Sequence, residues 1–257
     1  MRLNKFIASA TGKSRREADV LIAAGRVKVD GKVARLGQVL FNEAGLAPNR
    51  QTVDDEAKRG GDGLVKQMPG RTIITLDNRE LKLPTEHTFV MLHKPVGYVS
   101  SRRAQAKDSK TLYELLPPEL QKLKTVGRLD RDSSGLILLT DDGDFAFSMT
   151  HPKFAKTKIY EVELDRPLKP LHQQMISDFG INLADGKSQL ALERMGSGAD
   201  SLKWRVTMHE GRNRQIRRTF TALGYVVIKL HRTDFGNYHL GDLSVGQWII
   251  VNPSGKI

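Results

Sequence analysis

Cysteine is absent from the 257-residue chain. This absence excludes disulfide bonds, thiolate zinc sites and cysteine nucleophiles. The seven histidines are scattered, and no H-E-x-x-H motif or similarly spaced pair suggests a metal site. We therefore expect neither a bound metal nor redox chemistry.

Long hydrophobic runs are also missing. No apolar stretch approaches the ~20 residues that a membrane-spanning helix needs. The opening M-R-L-N leads directly into a folded-looking segment and does not resemble a signal peptide. We expect a cytoplasmic protein with no membrane partner.

Acidic residues are in deficit: 29 Asp and Glu face 41 Lys and Arg, which gives a formal net charge of +12. This balance favours a polyanionic partner, and nucleic acid comes before membrane because no basic amphipathic helix or lipidation signal is evident. A basic protein with a merely solvated surface is the alternative. A monomer is the default expectation.

The first forty residues predict a compact helical unit. Leu3, Phe6 and Ile7 recur at helical spacing before Gly12, and a capping box over residues 14–17 starts a second helix that ends at Gly25. Residues 27–29 and 32–34 then alternate around Asp30-Gly31, a dipeptide typical of a type I′ hairpin turn.

Positive charge is concentrated in this unit, and several basic residues fall at the start of the second helix, where backbone N–H groups favour a phosphate. Solubilisation is the alternative role for this charge. Gly12-Lys13-Ser14 is not a P-loop, because position 7 is Ile and the motif needs Gly there. The candidate RNA-binding residues here are Lys5, Lys13, Ser14, Arg15, Arg16 and Arg26.

This arrangement resembles the RNA-binding domain named after ribosomal protein S-four. The resemblance covers residues 1–40 and resumes at residues 71–83, R-T-I-I-T-L-D-N-R-E-L-K-L, as closing strands. Residues 41–70, rich in Gly, Pro, Asp and Asn, are interpreted as an inserted loop with room for a weak hairpin. The small basic domain is thus predicted over residues 1–83 and the larger one over residues 88–257.

The larger domain mixes strands and helices without a regular βαβ rhythm. This pattern predicts an α+β fold with a mixed, mainly antiparallel sheet and flanking helices. Helices are predicted over residues 108–120 and 214–223, the first ending near Pro117-Pro118 and the second at Gly224. Strands are predicted over residues 89–92, 136–139, 159–164, 202–208, 225–230 and 248–251.

Residues 126–143, V-G-R-L-D-R-D-S-S-G-L-I-L-L-T-D-D-G, place Asp130 in a polar turn directly before a buried strand. Asp is a favoured turn residue for local hydrogen-bonding reasons, so a turn-stabilising role competes with a catalytic one. Calcium is a further alternative, because Asp130, Asp132, Ser134, Gly135 and Asp141 fit an EF-hand register, although Leu138 and the final Asp weaken the match.

Two other segments contain side chains that could form a functional site. Residues 156–162, K-T-K-I-Y-E-V, carry Tyr160 on a strand, and residues 210–218, E-G-R-N-R-Q-I-R-R, bring four arginines to a helix start. Taken singly, Tyr160 fits a core position and the arginines fit solvent or phosphate. Together they predict an RNA cleft in which an arginine keeps a buried Asp ionised against desolvation.

The chain resembles the RsuA-type family of pseudouridine synthases, which modify ribosomal RNA. The matching motifs, in order, are H-K-P-V-G at residues 93–97, G-R-L-D at 127–130, G-L-I-L-L-T-D-D-G at 135–143 and E-G-R-N-R-Q-I-R-R at 210–218. The chain has Asp141 where the family usually has Asn. The resemblance covers nearly the whole chain outside residues 41–70.

The resemblance implies a cofactor-free isomerisation in which uracil is cut from its ribose nitrogen bond, turned and rejoined through carbon. It implies an essential Asp130, a Tyr160 that stacks on the target base and an Arg217 that pairs with Asp130, with Ile216 beside the base. Arg128 is a further candidate for substrate binding, and Arg212 and Arg214 are candidates for RNA binding.

The expected function is therefore conversion of a specific uridine to pseudouridine in ribosomal RNA, with the large subunit favoured. The expected partner is ribosomal RNA or a ribosomal assembly intermediate. The alternatives are the same reaction on small-subunit RNA, a non-catalytic ribosome-assembly factor, and a metal-dependent nuclease, for which the acidic cluster is lacking.

Overall fold

The computed structural model describes residues 1–40, 72–102, 109–196 and 201–255. The chain divides into two compact units, Met1–Glu86 and His87–Ile257. The predicted insertion at residues 41–70 lies outside the described residues. No helix in the described ranges has the length and apolar character needed to cross a membrane.

Two helices open the first unit, as predicted. Helix α1 is Leu3–Thr11 and ends at Gly12, whose φ of 72° is left-handed. Helix α2 is Arg15–Ala23. The capping box at its start is confirmed, because Ser14 Oγ accepts from Glu17 N at 3.1 Å and Glu17 Oε2 accepts from Ser14 N at 2.7 Å.

A four-stranded antiparallel sheet completes this unit in the order β2-β1-β3-β4. The turn at Asp30-Gly31 has φ values of 50° and 79°, as a type I′ turn requires, and Asp77-Asn78 joins the other hairpin with φ values of 51° and 62°. Both hairpins are therefore specified locally. The strands are β1 Val27–Val29, β2 Lys32–Val33, β3 Ile74–Leu76 and β4 Arg79–Glu80.

The second unit is built on one large sheet, with a short hairpin and helices beside it. The helices are α3 Gly143–Thr150, α4 Pro170–Gln174 and α5 Gln215–Thr221. The strands are β5 Phe89–Lys94, β6 Lys124–Val126, β7 Ser134–Thr140, β8 Lys158–Leu164, β9 Ile181–Leu183, β10 Gly186–Ser188, β11 Ala191–Arg194, β12 Lys203–Met208, β13 Val227–Phe235, β14 Tyr238–His239 and β15 Trp248–Ile250.

The strand order of the large sheet is β11-β12-β8-β13-β7-β5-β15, with β6 also paired to β7 and β14 to β13. The β7–β13 pair is parallel, and the other pairs in this sheet are antiparallel. Strands β9 and β10 form a separate hairpin. The predicted α+β class with a mixed, mainly antiparallel sheet is confirmed.

Both faces of the central strands are covered. Along β5, Val90 and Leu92 belong to one hydrophobic cluster, whereas Phe89 and Met91 belong to the other. Successive side chains of a strand point to opposite faces. The unbroken apolar sequence of β5 and β7 follows from this two-sided burial.

Two predicted elements differ from the structure. In place of a helix over residues 108–120, of which residue 108 is not described, a 3-10 turn spans Leu112–Leu115. A proline at residue 117 disfavours helical geometry in the residue before it and ends the element there. The strand predicted over residues 225–230 runs instead to Phe235, because β13 pairs with both β8 and β7.

Gly135 permits the contact that joins β7 to β13. Its φ is 108°, and a Cβ built on it would lie 2.2 Å from the carbonyl oxygen of Arg232. Only glycine allows the two backbones to approach so closely. This crossing fixes the end of the Asp130 turn against the strand that carries Arg232.

Candidate active site

Asp130 lies in the turn between β6 and β7. The turn is closed by a hydrogen bond from Ser133 N to the carbonyl of Asp130 at 3.1 Å. The side chain of Asp130 is 24% exposed. A carboxylate in this position is held by rigid flanking strands while one side of it stays accessible.

Four groups from other segments hold the backbone of this turn. Ser100 Oγ donates to the carbonyl of Leu129 at 2.8 Å and accepts from its N–H at 3.2 Å. The carbonyl of Arg131 accepts from Gly97 N at 2.7 Å, and that of Ser133 accepts from Lys94 Nζ at 2.6 Å. The carbonyl of Asp132 accepts from Arg217 at 2.8 Å. The geometry of the carboxylate is thus fixed by the tertiary structure.

Lys94 is fully buried beneath the turn. Burial lowers its pKa to about 8, although Asp130 and Asp132 favour the charged form. Its ammonium also donates to the carbonyl of Pro95 at 2.9 Å. Lys94 therefore places a cationic donor beneath the backbone of the turn that carries the two carboxylates.

The arginines pair with the turn differently from the expectation. Arg214 Nη1 lies 3.5 Å from Asp130 Oδ2, and the same guanidinium donates to both oxygens of Asp132 at 2.9 Å. Arg217, predicted to pair with Asp130, forms its ion pair with Asp132 at 3.2 Å instead. The prediction is corrected: α5 presents its N-cap arginine to Asp130, while Arg217 lies one turn further along the helix and reaches the neighbouring residue.

These arginines also set the charge state of Asp132. Hydrogen bonds from Arg214 are the main cause that lowers its pKa below the ordinary value, and the charge of Arg217 adds to them against the opposing effect of burial. Asp132 therefore stays a carboxylate that anchors the arginines.

Arg214 has an uncommon backbone conformation. It is the N-cap of α5, with φ 46° and ψ 32° in the left-handed region. A residue other than glycine costs of order 1 kcal/mol there and is retained when its surroundings fix it. Helix α5 accordingly begins at Gln215 and ends at Thr221, inside the predicted 214–223 range.

A cavity of about 320 Å³ opens beside this turn. Asp130, Arg128, Tyr160, Ile216 and Arg214 all line it. The volume is at the lower end of ligand-binding pockets, ~300 to 1,000 Å³. Arg217 is the one predicted substrate-binding residue that does not line the cavity, since its side chain is turned toward Asp132 and the carbonyl of Val227.

Tyr160 is 8% exposed and pairs in register with Arg232 of β13. Directly opposite residues in a sheet share a face. Arg232 is 2% exposed and donates from Nε to the carbonyl of Leu136 at 2.8 Å. Its Nη2 has no hydrogen-bond partner among the described residues.

Lys158, also in the cavity wall, has its pKa lowered to about 8, first by burial and then by the charge of Arg232. The cavity wall is therefore basic.

Arg212, predicted to contact RNA, lines the cavity and also makes several contacts within the protein. Its guanidinium donates to the carbonyls of Asp185 at 3.0 Å, Gly186 at 2.9 Å and Lys187 at 2.8 Å. It also forms ion pairs with Asp185 and Glu210. These contacts hold the guanidinium against the β9–β10 hairpin, and RNA contact by Arg212 stays a prediction.

The candidate RNA-binding residues of the first unit lie mostly on its surface. Lys13, Arg15 and Arg16 are exposed around the start of α2, and Lys5 is half-buried on α1. Ser14 is exposed and its hydroxyl caps α2. Arg26 donates to both carboxylate oxygens of Asp77, so its charge is partly neutralised within the unit.

The calcium alternative is wrong. Ser134–Thr140 forms β7, a buried extended strand of seven residues. At ~3.3 Å per residue, Asp141 lies roughly 20 Å along the chain from Ser134. Asp141 instead accepts a hydrogen bond from Thr88 N at 3.1 Å, and Asp142 caps α3. The acids cannot converge on one ion.

Sequence reasoning did not assign roles to Lys94, Ser100, Lys158 and Arg232. A signal existed for Lys94, which lies between the predicted strand over residues 89–92 and Pro95. Arg232 is not distinguished in this way, because Lys229 and Asp234 are charged residues of the same strand. Ser100 carries no such signal, because a serine in a loop has no distinguishing pattern.

The family model described as RNA pseudouridylate synthase matches residues 88–222. The chain belongs to the RNA pseudouridylate synthase family. A second model, the S4 domain, matches residues 1–40. As a pseudouridylate synthase the protein is an isomerase, and its Asp130 turn, Tyr160 and α5 start all lie within the matched region.

Similar proteins span nearly the whole chain. It is 34% identical over 257 residues to ribosomal large subunit pseudouridine synthase B of Bacillus subtilis, covering 98% of this chain and 92% of the relative. It is 34% identical over 250 residues to ribosomal small subunit pseudouridine synthase A of Yersinia pestis, covering 96% and 93%. A crystal structure of a pseudouridylate synthase is 30% identical, with a TM-score of 0.63 and coverage of 99% and 97%.

Proposed function

We propose that this pseudouridine synthase acts on ribosomal RNA, with Asp130 as its essential carboxylate and Tyr160 as the ring on which the target uracil stacks. The observation that carries the proposal is that Asp130, Tyr160 and Ile216 line one cavity of about 320 Å³. They come from a turn, a strand and a helix far apart in sequence.

The chemistry requires an extruded nucleotide. A uridine inside a duplex is out of reach, so it must be flipped into the cavity at a cost of a few kcal/mol. Stacking on Tyr160 and contact with Ile216 return part of that cost, since base–aromatic stacking contributes ~1–3 kcal/mol. The partly enclosed cavity also holds the detached uracil until it rejoins the ribose.

Asp130 is proposed to act on the ribose or the base. A positioned carboxylate can serve as nucleophile or as proton acceptor. Arg214 at 3.5 Å and the buried ammonium of Lys94 stabilise its negative charge. Arg128, exposed at the cavity edge two residues before Asp130, is proposed to contact the RNA strand from which the uridine is taken.

The ribosomal RNA substrate is proposed from the relatives and from the first unit. Relatives named for the large and the small subunit match at the same 34% identity. The exposed basic side chains of Lys13, Arg15 and Arg16, in the segment that the S4 domain matches, supply positive charge for docking on folded RNA. We keep the large subunit as the expected substrate, and the small subunit is the competing outcome.

The direct test incubates the protein, without added metal or nucleotide, with ribosomal RNA that carries tritium at uracil carbon 5. Asp130→Asn is expected to abolish tritium release while RNA binding is retained. Asp242→Asn, a change at an exposed acid outside the cavity wall, is the matched control and should release tritium like the unchanged protein. Equal release by Asp130→Asn would remove Asp130 from the mechanism.

A non-catalytic assembly factor is the rival function. It requires that the unchanged protein bind ribosomal RNA and release no tritium. Sequencing ribosomal RNA from a deletion strain then identifies the subunit, since one pseudouridine should be missing from the large-subunit RNA. If the missing pseudouridine lay in the small-subunit RNA instead, the proposed large-subunit substrate would be wrong and the small-subunit RNA would take its place.

A further inference from the structure

Two phenylalanines stay on the surface of α3 and the turn that follows it. Phe145 and Met149 of α3 face the core, where Phe145 packs at 4.9 Å from Phe89. Phe147 lies between them in sequence and therefore points to the other side of the helix. It is 47% exposed, and Phe154 is 41% exposed.

The exposed rings form an ordered group. Phe147 and Phe154 pack edge to face at 5.9 Å, and the His151 ring lies 4.6 Å from Phe147. The ammonium of Lys153 lies 5.7 Å from the centre of the Phe147 ring and 4.7 Å from that of Phe154. We call Phe147, His151, Lys153 and Phe154 the aromatic patch. Single exposed apolar residues are ordinary, whereas clustered rings at the surface mark binding sites.

The charge around the aromatic patch suits a polyanion. Residues 151–158, H-P-K-F-A-K-T-K, contain three lysines and no acid. Lys153 is exposed and Lys156 is half-buried. Aromatic rings set among cationic side chains are the combination that binds unpaired nucleic-acid strands, because each base offers a π-face and each nucleotide a phosphate.

The aromatic patch adjoins, along the chain, a residue that lines the cavity. Thr150, the last residue of α3, lines the cavity together with Gly127. A Cβ built on Gly127 would lie 3.5 Å from the Thr150 methyl. Gly127 begins the turn that carries Asp130, so a strand whose uridine enters the cavity passes within reach of the residues that follow Thr150.

We propose that the aromatic patch stacks unpaired bases of the same RNA strand that supplies the target uridine, while Lys153 binds their phosphates. The inference rests on the proposed function and adds a binding site for the flanking nucleotides. Such a site would recover part of the cost of unpairing the RNA around the flipped base. It would favour substrates in which the target lies in an unpaired segment.

The test uses the full chain and a dye-labelled oligouridylate dodecamer, followed by fluorescence anisotropy, with the dodecamer paired to oligoadenylate as the duplex probe. Phe147→Ala with Phe154→Ala should lower affinity for the single strand about fivefold or more and leave duplex affinity unchanged. The same positions changed to Tyr should retain affinity, whereas Leu should not restore it. Phe179→Ala, a 61% exposed phenylalanine outside the cavity wall, is the matched control.

Salt dependence separates stacking from charge. The double alanine variant should keep the slope of log affinity against log salt, because it loses no charge, whereas Lys153→Ala should flatten the slope by about 0.7. A 4-thiouridine dodecamer should cross-link to the peptide that contains Phe147 and Phe154. A double-variant loss no greater than that of Phe179→Ala, or full rescue by Leu, would overturn the inference.

Failure of this site and failure of the proposed function give different results. Oligouridylate binding and cross-linking require no turnover. If the unchanged protein released no tritium yet the double variant lost single-strand affinity, only the proposed function would fail. If tritium release were normal and the double variant bound the single strand normally, only the aromatic patch would fail as a site.

Discussion

Arg214 bridges two carboxylates of one turn, with Nη1 at 3.5 Å from Asp130 Oδ2 and both terminal nitrogens at 2.9 Å from Asp132. Asp132 is thus the anchor and Asp130 the looser partner. A carboxylate with one weaker ion pair keeps lone pairs available for a substrate, whereas the bidentate pair fixes the guanidinium. The backbone of Arg214 is left-handed, with φ 46°.

Asp132→Asn should lower the rate of uridine isomerisation about tenfold with little change in RNA affinity. The change removes a bidentate charged pair that positions Arg214, and hydrogen bonds to charged groups contribute ~1.5–3 kcal/mol. Tritium release measured over a range of RNA concentrations separates kcat from KM. Glu193→Gln breaks the exposed Arg205–Glu193 pair at 2.9 Å and should leave the rate unchanged. A fall in both variants would contradict a specific role for Asp132.

Tyr160→Phe should keep the isomerisation rate within a few-fold, whereas Tyr160→Leu should lower it about tenfold or more. The ring supplies the stacking surface, and stacking contributes ~1–3 kcal/mol per base. Melting temperatures of both variants check that the 8% exposed position still packs. If Phe and Leu were equally active, stacking on this ring would not contribute.

Gly135→Ala should destabilise the catalytic unit by roughly 3 kcal/mol or more, because its Cβ would lie 2.2 Å from the Arg232 carbonyl oxygen in a backbone with φ 108°. Gly241→Ala is the control, since φ is 55° there and nothing lies within 4 Å. Strain alone should cost about 1 kcal/mol at Gly241. Urea unfolding measures both, and equal costs would argue against the steric account of the β7–β13 crossing.

Lys94 should make the stability of the protein depend on alkaline pH. Its pKa is about 8 in the folded state and 10.5 in the reference state, so the unfolded chain binds more protons between these values. The contribution of Lys94 to the free energy of unfolding is therefore lowest below pH 8 and rises as the pH increases toward 10.5. Relative to Lys94→Met, the unchanged protein should gain about 2 kcal/mol between roughly pH 7.5 and 9.5 in urea unfolding. A constant difference across that range would show that Lys94 is not desolvated.

The first unit should account for part of the salt dependence of RNA binding. Changing Lys13, Arg15 and Arg16 to alanine should weaken binding to long ribosomal RNA and flatten the slope of log affinity against log salt by roughly two to three. Arg15→Lys with Arg16→Lys keeps the charge and should keep the slope. An unchanged slope in the alanine variant would reject a docking role for the start of α2.

Local patterns in the sequence were sufficient for the elements whose causes are local. The capping box at Ser14, the type I′ turn at Asp30-Gly31 and the apolar run of β7 each carry their own signal, and each is confirmed. Such features depend on hydrogen bonds and dihedral preferences within a few residues. The motifs also indicated the family and the segments that form the cavity.

Contacts between distant segments were decided only by the tertiary structure. No local pattern distinguishes Arg214 from Arg217 as the partner of Asp130, because the choice depends on where α5 begins and how it meets the turn. The burial of Lys94 under Ser133 and the turning of Arg212 onto the β9–β10 hairpin have the same origin. These side chains are positioned by packing across long sequence separations, so their partners follow from the assembled sheet and not from neighbours in the chain.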